Sequence, residues 1–133
     1  MNKKPLGRDG AKKTFGMFFK ERRIALGMTL REFCLKNGID PGNLSRLERG
    51  LSTPPQRDRL EAYAEMLDLK EGSDEWYEFF DLAAAEAGRI PEDLRNEKVL
   101  EKLPILFRTL RGQRVSDDKL DELVQMVKGK HRH

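Results

Sequence analysis

Between Thr29 and Gly50 the chain sets two helix starts and two helix stops in one short stretch, TLREFCLKNGIDPGNLSRLERG. Thr29-Leu30-Arg31-Glu32 has the form of a capping box, in which Thr and Glu satisfy each other's free backbone N–H groups. It opens a helix with Leu30, Phe33 and Cys34 as apolar positions, ending at Gly38. Asp40 is a good N-cap, and Pro41 suits the first helical position because its missing N–H has no helical partner there. A second short helix follows over 41–49, and Gly50 stops it. Two short helices joined by Asn37-Gly38-Ile39-Asp40 make a helix–turn–helix candidate. Each can bury only a narrow face, so the rest of the chain must supply a core for both to sit on.

The flanking sequence supplies it as further helices. From Thr14, Phe15, Phe18, Phe19, Arg22 and Leu26 recur at helical spacing, and Gly27 stops the run. After the loop Ser52-Thr53-Pro54-Pro55, a helix over about 56–67 turns Leu60, Tyr63, Ala64 and Leu67 inward. Lys70-Glu71-Gly72 is a break. Ser73 then caps a helix with Trp76, Phe79, Phe80 and Ala83 on one face, stopped by Gly88. Beyond it, Asn96 is expected to cap a helix to Arg111, with Val99, Leu100, Leu103, Phe107 and Leu110 inward; Pro104 should kink or split it. Ser116 caps a last helix to about Lys128, striped by Leu120, Leu123, Val124 and Val127. Strand signals are nearly absent, so an all-α chain is expected.

Charge divides the chain in two. Residues 1–60 hold 14 basic and 6 acidic residues, a net of +8; residues 61–133 hold 12 and 17, a net of −5, which together give the chain's +3. The basic half attracts polyanions and the acidic half is freer to bind protein. Residues 1–13 read as a basic arm. They lack an apolar run after their charges, which argues against a secretory signal. No stretch is long and apolar enough to predict a membrane span. The one cysteine, Cys34, suits a reducing cytoplasm. Cys34, His131 and His133 make no convincing zinc site, and Asp117, Asp118, Asp121 and Glu122 read as an acidic helix start rather than metal ligands. No phosphate loop, nucleophile triad or metalloprotease motif points to an enzyme, and no cofactor is implied.

In a helix–turn–helix unit the second helix enters the major groove, so it needs an inner face that anchors and an outer face that offers donors and acceptors. Helix 41–49 has both. Leu44 and Leu47 point inward, with Ile39 beside them, while Gly42, Asn43 and Arg46 lie outward. Asn pairs bidentately with adenine, and Arg with guanine O6 and N7. Gly42 would let the backbone approach DNA. Ser45 and Arg49 suit phosphates, as do Thr29 and Arg31 at the start of the preceding helix and Lys20 and Arg22 at the end of the first.

The stretch from Phe18 to Leu69 resembles the lambda-repressor-like, Xre-type helix–turn–helix family. The resemblance is carried by Arg23-Ile24-x-x-Gly27, Thr29-Leu30-x-Glu32-Phe33, Gly38-Ile39, Leu44-Ser45-Arg46-Leu47-Glu48-Arg49-Gly50 and Ala64-x-x-Leu67. It implies a compact five-helix DNA-binding domain acting as a homodimer on a palindromic operator, with no cofactor; the expected role is a repressor that occludes a promoter. It also implies that Glu48 turns inward to pair with Arg23. Leu30, Pro41 and Gly42 depart from the family's usual hydrogen-bonding residues, which pushes specificity onto Asn43, Arg46 and DNA shape. Cys34 stands where a small Ala is usual and reads as a small buried hydrophobe.

The expected organisation is a basic arm over 1–13, the DNA-binding domain over 14–88, and a C-terminal helical extension over 89–133. Three uses compete for the extension: dimerisation, holding a toxin as antitoxins of this type do, or completing the core.

Overall fold

The structure, a computed structural model, describes residues 13–113 and 115–131. The arm expected over 1–13 lies outside them apart from Lys13, and so does His133. The described residues form helices and no strand. They divide into two compact units, with the division between Pro91 and Glu92.

Among the described residues, the first unit holds five α-helices. Helix α1 runs Phe15–Ala25, with Thr14 Oγ1 accepting from the N–H of Met17 at 3.1 Å. Helix α2 is Leu30–Asn37. Both halves of its capping box form: Thr29 Oγ1 accepts from Glu32 N–H at 3.1 Å, and Glu32 Oε1 accepts from Thr29 N–H at 2.9 Å. Helix α3 is Pro41–Glu48, capped by Asp40, whose carboxylate accepts from Asn43 N–H at 2.9 Å. Arg49, expected inside it, is its C-cap. Helix α4 is Arg57–Met66, and α5 is Asp74–Ala87, capped by the Ser73 hydroxyl.

The core of this unit centres on α1. Phe19 is fully buried and meets Phe33 of α2 and Tyr63 of α4 edge-on, at ring-centroid distances of 5.6 and 5.4 Å. Phe15 lies 5.0 Å from Phe79 of α5. Leu44 and Leu47 of α3, Leu60 and Ala64 of α4 with its C-cap Leu67, and Ala83 of α5 complete it, with Trp76 and Phe80 packed at its margin. Each such aromatic pair adds about 0.5–1.5 kcal/mol beyond the area it buries.

The second unit holds a 3₁₀ turn at Glu92–Leu94, helix α6 over Glu97–Gln113 and helix α7 over Asp117–His131. Asn96 caps α6 and Ser116 caps α7 through their side chains. One expectation narrows here and another changes. Pro104 does not split α6, which continues through it. The proline deprives only the Leu100 carbonyl of its partner, and strong helix formers flank it on both sides. The apolar stripes are also more open than expected: Leu100, Phe107, Leu120, Leu123, Val124 and Val127 are all exposed, while Val99, Leu103 and Leu110 are half-buried. A unit of two helices lacks the further layer that would bury both stripes. No described helix is long and apolar enough to cross a membrane.

Candidate nucleic-acid interface

The turn between α2 and α3 needs one residue in the left-handed region. Gly38 takes it at φ +68°, where no Cβ resists, and Ile39 N–H returns to the Cys34 carbonyl at 3.0 Å. Ile39 then packs against the core, as the sequence pattern expects. Burial raises the pKa of the neighbouring Cys34 thiol, so the residue stays neutral as a small apolar side chain.

Three contacts seat α3 on α1. Leu44 and Leu47 are buried. Glu48 turns inward and receives Arg23 in a two-pronged pair, Nε to Oε2 at 2.8 Å and Nη2 to Oε1 at 2.9 Å. Arg23 Nη1 also donates to the Met28 carbonyl at 2.9 Å. The bond to Glu48 raises the pKa of the Arg23 guanidinium against the opposing effect of burial. The acid of α3 is thereby turned away from solvent and its charge is balanced by Arg23.

The third contact was not legible in the motif. Gly16 of α1 is buried against the end of α3. A Cβ there would meet the carbonyl oxygens of Leu47 and Glu48, and the Glu48 carbonyl carbon at 2.8 Å. Only glycine allows the two helices to come this close. The available signal was an isolated glycine inside an apolar helical stripe, which is tolerated at a cost unless packing requires it.

The outward face of α3 carries Pro41, Gly42, Asn43 and Arg46, with Arg49 at its end, all exposed, and Ser45 half-buried. Arg46 Nη2 donates to Asn43 Oδ1, one turn back on the same face. Arg49 Nε donates to the Ser45 carbonyl at 3.3 Å. Gly42 also has a local reason to be small: a Cβ there would lie 3.1 Å from the Asp40 carboxylate that caps the helix.

On α2, Arg31 is exposed and lines a shallow groove with Cys34, Leu35, Gly38, Ile39 and Pro41. Thr29 is exposed and holds its cap. Lys20 of α1 is exposed. Arg22 stands apart from the other candidates. Its Nε donates to the Leu67 carbonyl at 2.9 Å and its Nη2 to the Asp68 carbonyl at 3.0 Å, while Nη1 lies 3.8 Å from Glu75. It ties α1 to the end of α4. Lys13 lies 3.2 Å from Glu78 and 4.8 Å from the centre of the Phe18 ring. The α1 start is held by Glu86 of α5, which accepts from Phe15 N–H at 2.6 Å; that tie spans residues too far apart in sequence for any local pattern to show it.

Residues 19–72 match the family model described as Helix-turn-helix, a span from within α1 through α4 to the loop before α5. No curated protein matches the chain significantly. Among solved structures, a chain of a SinR protein/SinI protein complex is similar, at 22% identity over 90% of this chain and 100% of that one, with a TM-score of 0.43.

Proposed function

We propose, from the helix–turn–helix model that residues 19–72 match, that these residues form a DNA-binding domain of the lambda-repressor-like, Xre type, and that the protein is a sequence-specific DNA-binding transcriptional regulator that places α3 in the major groove. The observation that carries this reading is the polarity of α3. Its acid, Glu48, is buried on Arg23, while Asn43, Arg46 and Arg49 face outward. Arg46 and Asn43 address base edges, and Ser45, Arg49, Thr29, Arg31 and Lys20 address phosphates. Gly42 keeps the tip of the helix low. Arg22 is structural in this reading, because its nitrogens already serve α4 and Glu75.

The protein acts in the cytoplasm as a homodimer on a palindromic operator and represses by occluding a promoter. The exposed apolar residues of α6 and α7 support self-association, since apolar side chains recurring at helical spacing give each helix a face that a partner can cover. The same surface favours a second reading, an antitoxin that holds a toxin there and represses its own operon. Footprinting on the duplex upstream of the gene tests the first claim: two protected half-sites about one helical turn apart support it, and no protection contradicts it. Sedimentation at tens of micromolar, on the order of assay concentrations, separates dimer from monomer, and a strictly monomeric mass counts against the half-site geometry.

A further inference from the structure

We propose that Asn43 does not read an adenine but positions Arg46, so that the two side chains act as one donor-only unit selecting guanine. The inference rests on the reading of α3 as the groove helix and concerns what that helix selects.

Asn43 Oδ1 accepts from Arg46 Nη2. The assignment of the amide follows from chemistry: a guanidinium has only donors, so the atom facing it is the oxygen. Bidentate recognition of adenine needs that oxygen for the N6 amino group and the Nδ2 donors for N7, in the plane of the base. Here the acceptor end of the amide is aimed along the helix at a cation three residues on. Its Nδ2 hydrogens are the uncommitted part. Arg46 keeps the rest of its five donors. The pair therefore offers hydrogens alone. Guanine presents two acceptors on its major-groove edge, O6 and N7, whereas adenine presents one acceptor beside a donor that would face these hydrogens. Desolvation in the groove strengthens the charged Asn43–Arg46 bond and the pair's selectivity with it. Among the described residues no acid is paired with Arg46: Asp40 accepts from Asn43 N–H, and Glu48 is bound to Arg23. The cap bond at Asn43 uses its backbone, so a side-chain change leaves α3 capped.

The test selects duplexes from a random-sequence pool with the wild-type protein. Base preference at each selected position is then measured for Asn43→Ala, Asn43→Asp, Arg46→Ala and the double alanine variant. The readout is the ratio of affinities for two bases at one position, which a uniform loss of binding leaves unchanged. Asn43→Ala is expected to reduce discrimination for guanine at the Arg46 position by roughly tenfold. Asn43→Asp keeps an acceptor for Arg46 and should retain that discrimination even if overall affinity falls. The double variant should discriminate no worse there than Arg46→Ala alone, the mark of a coupled pair. An Asn43→Ala variant that keeps its guanine preference and loses an adenine preference at a neighbouring position overturns the inference while leaving DNA binding intact. A wild-type protein that selects no sequence overturns both the inference and the reading beneath it.

Discussion

Arg23 and Glu48 are joined by two hydrogen bonds across the interface of α1 and α3, with side chains 7% and 4% exposed. Their pairing settles which way α3 faces, because a buried carboxylate without its cation would be driven out to solvent. Removing one partner alone leaves an uncompensated buried charge. We expect Glu48→Ala to lower stability by about 3–5 kcal/mol, read from the midpoint of urea unfolding. Replacing both residues together, Arg23→Met with Glu48→Leu, should recover most of that loss. A single substitution that leaves the midpoint unchanged would show that the pair does not hold the helix.

Gly16 and Gly112 are both helical glycines with opposite surroundings. A side chain at Gly16 would collide with the backbone of Leu47 and Glu48; at Gly112 in α6 it would meet nothing within 4 Å. Gly16→Ala is therefore expected to destabilise by about 1–3 kcal/mol or more, since backbone cannot step aside. Gly112→Ala should be neutral or stabilise by about 0.5–1 kcal/mol through helix propensity. Thermal unfolding of the two variants beside the wild type checks both signs.

Much of this arrangement was legible in the sequence because it is local. The capping box at Thr29 and Glu32, the Asp40-Pro41 start and the Gly38 turn are each set within a few residues, and each forms. The inward pairing of Glu48 with Arg23 followed from the resemblance rather than from spacing. Three features were hidden because distance in space, and not sequence, decides them: the close approach at Gly16, the Glu86 cap on α1, and the use of Arg22 by α4. Arg22 and Lys20 look equivalent in sequence. Only the fold shows one tied to carbonyls of the α4 end and the other exposed. In the second unit the stripe of α7 was legible, but its exposure follows from how few helices the unit has.

Cys34 gives the fold a pH dependence on the alkaline side. Its thiol pKa is raised in the folded state by burial. The folded protein thus holds that proton more tightly than the unfolded chain. The associated stability is fully present below the unfolded thiol pKa of about 8.5 and is lost as pH rises from there through the folded value. Arg23 is also raised, but both of its states titrate far above assay pH, so it adds no slope there. The wild type should lose more stability than Cys34→Ala between about pH 8 and pH 10. Equal slopes for the two proteins would contradict this.

The outward face of α3 meets its most direct test in equilibrium binding to one selected duplex across a salt series, with wild type, Arg46→Ala and Arg49→Ala side by side. For the wild type, log affinity should fall linearly with log salt, reporting phosphates neutralised. Arg49→Ala should reduce that slope by about 1 and weaken all sequences alike, while Arg46→Ala should lose roughly 1–3 kcal/mol and relax the preference at a single base pair. A salt slope near zero, or an Arg46→Ala protein that binds and discriminates as the wild type does, would contradict the placement of α3 in the groove.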